Sequence, residues 1–173
     1  AEGVVPDIMC LGKAMTGGFP LSATIATPEV LAKCPLNTTE AIHTSTFLGN
    51  PMGCAVGLKA IEILQRDALP DRAKREGDYL LGQFKRLQSL FPNHIADARG
   101  RGLMVALEFA TPKLEPLTDI ALKLVDDMRD RGCILWPSGP HGNVISLAPP
   151  LIIAHECLAF FVEQLEASLS EIC

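Results

Sequence analysis
The sequence predicts an α/β chain in two parts, residues 1–66 and a small α+β domain over residues 67–173. Three observations lead there. Ile8–Leu11 is a short apolar run bounded by Pro6-Asp7 and Gly12, the pattern of a buried strand. Val56, Leu58, Ile61 and Leu64 recur at helical spacing through Pro51–Arg66, until Asp67-Ala68-Leu69-Pro70 breaks the pattern. Beyond that break the order is helix, strand, helix, strand, strand, helix, which suits helices on one side of a sheet.

Lys13 follows the first strand directly. Gly17, Gly18 and Pro20 then turn the backbone before a second apolar strand at 21–26. The turn leaves a lone amine at the end of a core strand, among small residues. In open α/β sheets that edge takes ligands. The neutral amine of a desolvated lysine forms a Schiff base with an aldehyde. The same spacing also suits a solvated loop lysine, since most lysines are exposed. It is not a phosphate-binding P-loop, which needs its glycines before the lysine and a Ser or Thr after it.

Thr27-Pro28-Glu29 opens a short helix, with Thr27 as N-cap and Pro28 at the first helical position. Residues 35–50 read as loop. They carry Thr44-Ser45-Thr46 and Gly49, whose hydroxyls and amides can hold an anion. They equally suit a Ser/Thr-rich turn, with Asn50-Pro51 as a helix start.

The second part follows in order. A helix at about 71–90 carries Leu80, Phe84, Leu87 and Phe91 on one stripe, and Pro92-Asn93 ends it. A strand at 102–109 alternates Leu103, Val105, Leu107 and Phe109 with Met104, Ala106 and Glu108. Arg99 and Arg101 precede it. They can hold a carboxylate, but pairing with acids such as Asp97 is the reading favoured here. A helix at 118–131 turns Ile120, Leu124, Val125 and Met128 inward and stops at Gly132. Strands at 133–136 and Val144–Leu147 flank a turn containing His141, and His155–Ile172 forms the last helix.

Composition narrows the function classes. Nearly half of the 173 residues are apolar, ample for a core. The net charge of −5, with no basic run, gives no sign of a nucleic-acid or anionic-membrane surface. Six cysteines without a C-x-x-C pair argue against a zinc site and a disulfide framework, and for reduced thiols in the cytoplasm. No apolar run is long enough to cross a bilayer. No metal-ligand spacing stands out.

Four motifs, in order, carry a family resemblance. The run from Pro6 to Ala23, with Asp7-Ile8-Met9-Cys10-Leu11-Gly12-Lys13-Ala14 at its head, resembles the active-site lysine segment of the class III (ω-amino acid type) pyridoxal-phosphate-dependent aminotransferases. His43-Thr44-Ser45-Thr46-Phe47-Leu48-Gly49-Asn50-Pro51-Met52-Gly53 resembles their phosphate-binding segment. Arg99-Gly100-Arg101-Gly102-Leu103-Met104 and Leu147-Ala148-Pro149-Pro150-Leu151 resemble parts of their C-terminal domain. The likeness covers essentially the whole chain.

The resemblance implies a fold type I pyridoxal-phosphate transferase, with residues 1–66 a remnant of the large domain. It further implies that the chain is the C-terminal part of a longer enzyme, without the acidic residue that pairs with the pyridine nitrogen. It assigns Lys13 as the Schiff-base lysine and proton carrier, and Ser45 and Thr46 to the cofactor phosphate. Thr46 reaches the cofactor of a second subunit, so a homodimer with active sites at the interface is implied. The substrates implied are an amine or amino acid and a keto acid, exchanged in ping-pong fashion. Many members carry an arginine just before the Ala-Pro-Pro-Leu segment, where it grips the substrate carboxylate. Ser146 stands there in this chain, which points to amines, to ω-amino acids bound another way, or to a carboxylate clamp supplied by the N-terminal half. Racemases, epimerases and decarboxylases of the same family, and a non-catalytic truncated module, are the alternative readings.

Overall fold
The computed structural model describes residues 3–33 and 46–173. The chain divides into two compact units, Ala1–Asp67 and Ala68–Cys173.

In the first unit, β1 (Ile8–Leu11) pairs antiparallel with β2 (Ala23–Ala26), Ile8 opposite Ala26 and Leu11 opposite Ala23. The second strand is shorter than the expected 21–26. Between them lies a 3-10 turn, Lys13–Thr16, which the Thr16 hydroxyl stiffens by donating to the Phe19 carbonyl. The expectation of a buried first strand does not hold. Ile8 is 54% exposed, and Met9 and Leu11 are exposed too. Burial of a ribbon needs a second layer on its face, and none covers β1 among the described residues of this unit.

α1 (Pro28–Leu31) starts as its sequence dictates, with Val30 N–H donating to the Thr27 hydroxyl. α2 (Pro51–Arg66) starts on Asn50, whose Oδ1 accepts from Gly53 N–H at 3.1 Å. The packed face of α2 is made of its small residues. Gly53 and Gly57 are buried, and a Cβ on Gly57 would stand 2.9 Å from the Leu21 Cδ2 methyl. Leu58 and Ile61, expected on an apolar face, are exposed. The expected loop at 35–50 lies largely outside the described residues.

The second unit is α3 (Leu69–Leu90), β3 (Ile95–Arg101), β4 (Met104–Phe109), α4 (Thr118–Asp130), β5 (Pro137–Ser138), β6 (Val144–Leu147) and α5 (His155–Ile172). The sheet runs β3-β4-β6-β5, antiparallel throughout. One core joins Leu80, Phe84 and Leu87 of α3, Val105, Leu107 and Phe109 of β4, Leu124 and Met128 of α4, and Leu158, Leu165 and Leu169 of α5. The stripe on α3 and the alternation on β4 are as the sequence predicts. None of the described helices is long and apolar enough to cross a membrane.

Three differences from the sequence reading have physical causes. α3 begins at Leu69, because Pro70 fits the first helical turn rather than ending the approach to it. β3 went unrecognised because a register shift between Ile95 and Asp97 spoils its period of two, so buried Ile95 and Ala98 lie three apart. Residues 133–136 form no strand. Cys133 N–H donates to Met128 O at 2.7 Å, which ties the run to the end of α4, and pairing with β6 starts only at Pro137.

The Arg99–Gly102 motif serves packing. Arg99 bridges Asp97 at 2.6 Å and Glu108 at 2.7 Å, as the structural reading of that arginine expects. Gly102 has φ +53 in the tight β3–β4 turn. A Cβ on Gly77 of α3 would stand 2.0 Å from Gly102 O, so helix and hairpin touch backbone to backbone.

Candidate active site
Lys13 lies where β1 ends and the 3-10 turn starts, as the apolar run and the glycines after it dictate. Its backbone has φ +52, a left-handed conformation shared among described non-glycine residues only by Ala68 and Leu114. For a residue with a Cβ this costs on the order of 1 kcal/mol. Lys13 opens onto a cavity of about 600 Å³ in the first unit, lined also by Gly18, Phe19, Ser22, Phe47 and Gly49. The side chain is exposed, so the desolvated pocket expected from sequence is open here. The small residues that wall it leave it accessible.

The turn from Thr46 to Gly49 is brought to the same cavity, and Thr46 adjoins its lining residue Phe47. Thr46 itself is exposed and is not a lining residue. Ser45 lies outside the described residues. Phe19 and Phe47 are lining residues that the sequence reading did not select. Their place in the quoted motifs, beside the glycine turn and beside Thr46, is the signal that could have found them.

The cavity suits an aldehyde-bearing aromatic phosphate. Its volume falls in the range of small-molecule sites. Lys13 is the only charged side chain among the described lining residues, so no fixed anion opposes a phosphate. A primary amine is available for the aldehyde, and two aromatic side chains, Phe19 and Phe47, line the space a heteroaromatic ring would occupy.

Ser146 belongs to the second unit. It lies on β6 opposite Ala106, and its Oγ is 2.7 Å from Ser138 Oγ. It lines a mainly apolar cavity of about 630 Å³, together with Trp136, Ala148, Pro149, Ile153 and Phe161. A neutral hydroxyl here cannot form the paired charged bonds of a guanidinium with a carboxylate. Among the described lining residues, Glu156 is the charged one.

Comparison with known proteins gives a consistent picture. A family profile, Aminotransferase class-III, matches residues 1–169. The chain is similar to a phospholyase from Arthrobacter in complex with phosphoethanolamine, with a TM-score of 0.89 and 29% identity, over 99% of this chain and 40% of that one. It is similar to acetylornithine aminotransferase from Elizabethkingia anophelis, with a TM-score of 0.85 and 33% identity, over 98% of this chain and 40% of that one. An amine transaminase from an uncultivated Pseudomonas species, in its pyridoxal-phosphate-bound form, gives a TM-score of 0.86 at 30% identity, over 99% of this chain and 40% of that one. The chain thus spans about 40% of the length of these proteins.

Proposed function
The chain belongs to the class-III aminotransferases, a pyridoxal-phosphate-dependent family, and from that membership we propose that the whole protein moves an amino group from an amine or ω-amino acid to a keto acid, with Lys13 as its catalytic lysine. The observation that carries the reading is a strained lysine at a strand end, facing a cavity with no other described charge. When bound, pyridoxal phosphate supplies an aldehyde that couples to amines and a ring that draws off electrons. The rest falls to the chain. Lys13 Nζ would hold the cofactor through that aldehyde until an incoming amine takes its place. Freed, Lys13 Nζ would take the proton from the donor's amine-bearing carbon and hand it to the cofactor's carbonyl-derived carbon. Thr46, with Ser45 next to it in sequence, would donate hydroxyl hydrogen bonds to the phosphate and so steady the ring. Ser146, being neutral, favours donors without an α-carboxylate beside the amine.

The division at Asp67 supports reading the first unit as the C-terminal part of the cofactor domain, and the second as the small domain. A homodimer with shared active sites is part of the proposal. It is supported by Phe47, Leu48 and Met52, all large, apolar and exposed next to Thr46. A cytoplasmic setting fits the five free cysteines among the described residues, and a full thiol titre on the native protein checks it. A second reading takes support from the likeness to a phospholyase bound to phosphoethanolamine, an amine without a carboxylate. There the same lysine would serve an elimination.

One experiment tests the set. The whole protein is loaded with pyridoxal phosphate, reduced with borohydride and peptide-mapped. A single adduct on Lys13, absent in Lys13→Ala, is the expected result, and adducts scattered over many lysines would refute the site. Turnover is then followed with simple amines, alanine and phosphoethanolamine, with and without a keto acid. Amine turnover that needs the keto acid supports transfer, turnover without it supports the lyase, and a strong preference for alanine would sink the role of Ser146. Mixing Lys13→Ala with Thr46→Ala subunits restores one complete site if Thr46 acts across the dimer, and none if it acts within its own chain.

A further inference from the structure
The segment between Ser146 and α5 is held from one face of α3. Arg72, Glu76 and Tyr79 are spaced four and three residues apart, so they line one helical face. Arg72 Nε donates to Leu151 O at 3.1 Å, and Arg72 Nη2 donates to Ile153 O at 2.5 Å. Glu76 Oε2 lies 2.7 Å from His155 Nδ1. The Tyr79 ring packs against the His155 ring, with centroids 4.6 Å apart. These contacts fix positions 151, 153 and 155 in turn. All three α3 residues are half-buried, close in sequence to Leu80 of the core and to Ala73, which packs against that core.

What they hold is the wall of a cavity. Ala148, Pro149 and Ile153 line the same 630 Å³ space as Ser146. The loop has few restraints of its own. Pro149 and Pro150 donate no backbone hydrogen bond, and the backbone bond seen within the loop among the described residues joins Ile153 N to Pro150 O at 2.9 Å. A guanidinium bound to two carbonyls supplies stronger bonds than a neutral donor would.

We propose that Arg72, Glu76 and Tyr79 form a clamp that sets the 151–155 loop, and that Arg72 is thereby a positioning residue for substrate recognition at the Ser146 cavity. The proposal rests on reading Ser146 as facing the substrate. Loosening the clamp leaves Lys13 chemistry untouched and blurs the cavity wall, so substrate and transition state lose binding alike. That loss raises KM and leaves kcat unchanged.

The test uses the whole protein with its cofactor, comparing Arg72→Ala and Arg72→Lys with the unaltered form. Hydrogen exchange at the 151–155 amides is expected to accelerate locally in Arg72→Ala. KM for the amine is expected to rise about tenfold, as for the loss of one charge-assisted hydrogen bond, with kcat held and Arg72→Lys in between. Should Arg72→Ala fail to fold, Glu76→Ala and Arg72→Lys carry the same readouts. Unchanged exchange overturns the clamp. Accelerated exchange with unchanged KM overturns the positioning role while the functional reading stands. Absence of amine binding and turnover in the unaltered protein overturns the functional reading and the positioning role together, while the exchange data still judge the clamp.

Discussion
Asn143 shows what a single residue adds beyond its type. It is 3% exposed, its Nδ2 donates to Phe109 O at 2.9 Å, and its own carbonyl accepts from Phe109 N–H at 2.8 Å. It thus ties the β5–β6 turn to the end of β4. Leu117 N–H also reaches Phe109 O at 3.0 Å, so that acceptor keeps a partner if the amide is removed. Asn143→Ala is expected to cost about 1 kcal/mol, the value of one hydrogen bond. A urea titration checks this, and an unchanged midpoint would speak against the bond. The sequence marked Asn143 only as part of a turn, because the role depends on a partner 34 residues away. Lys13 was legible for the opposite reason. Everything that sets its place, from the apolar run to the glycine turn, lies within a few residues of it.

Among elements, helices were easier to read than strands. The stripe on α3 repeats over several turns, so one irregular position does not hide the pattern. β3 and β5 are short, bulged or polar, and exist through their partners. The tie between α3 and α5 gives a pH-dependent prediction. Arg86 meets Glu166 with two parallel bonds, at 3.0 and 2.6 Å, and this hydrogen bonding holds the Glu166 carboxyl below the usual glutamate range. A carboxyl lowered by folding stabilises the folded state above its unfolded pKa of about 4.3, and that contribution fades as pH falls through the lower folded value. Glu166→Gln is therefore expected to lower stability at pH 7 by less than about 1 kcal/mol, since both side chains are partly exposed. The melting curves of the two forms should converge at the acid end. A difference that persists there would mean that packing, not charge, is what the substitution removed.

The whole molecule distributes its core unevenly. Every buried hydrophobic residue among those described, from Leu69 to Leu169, lies in the second unit. The first unit buries Thr16, Gly53 and Gly57 instead. A segment of residues 68–173 is thus expected to unfold in one cooperative urea transition when made alone, and residues 1–67 to show none. Failure of the larger piece to fold would show that its core needs more chain than it contains. This imbalance was not legible in the sequence, where Ile8–Leu11 and the α2 residues Leu58 and Ile61 read as core. Apolar pattern reports which face seeks cover, and it does not report whether a cover is present.

The open β1–β2 ribbon has a consequence for the order of assembly. A two-stranded ribbon gains little by itself, yet it sets the backbone from which Lys13 projects. The helical sheet unit, with its continuous core, consolidates first. The amine acquires its fixed geometry last and surrenders it first on warming. On the role proposed for Lys13, readiness to take the cofactor is expected to be the final event of maturation, and its loss to precede melting of the scaffold. Labelling of Lys13 by borohydride, followed beside the helix signal during a slow thermal ramp, would register that sequence of events, and a single coincident transition would contradict it.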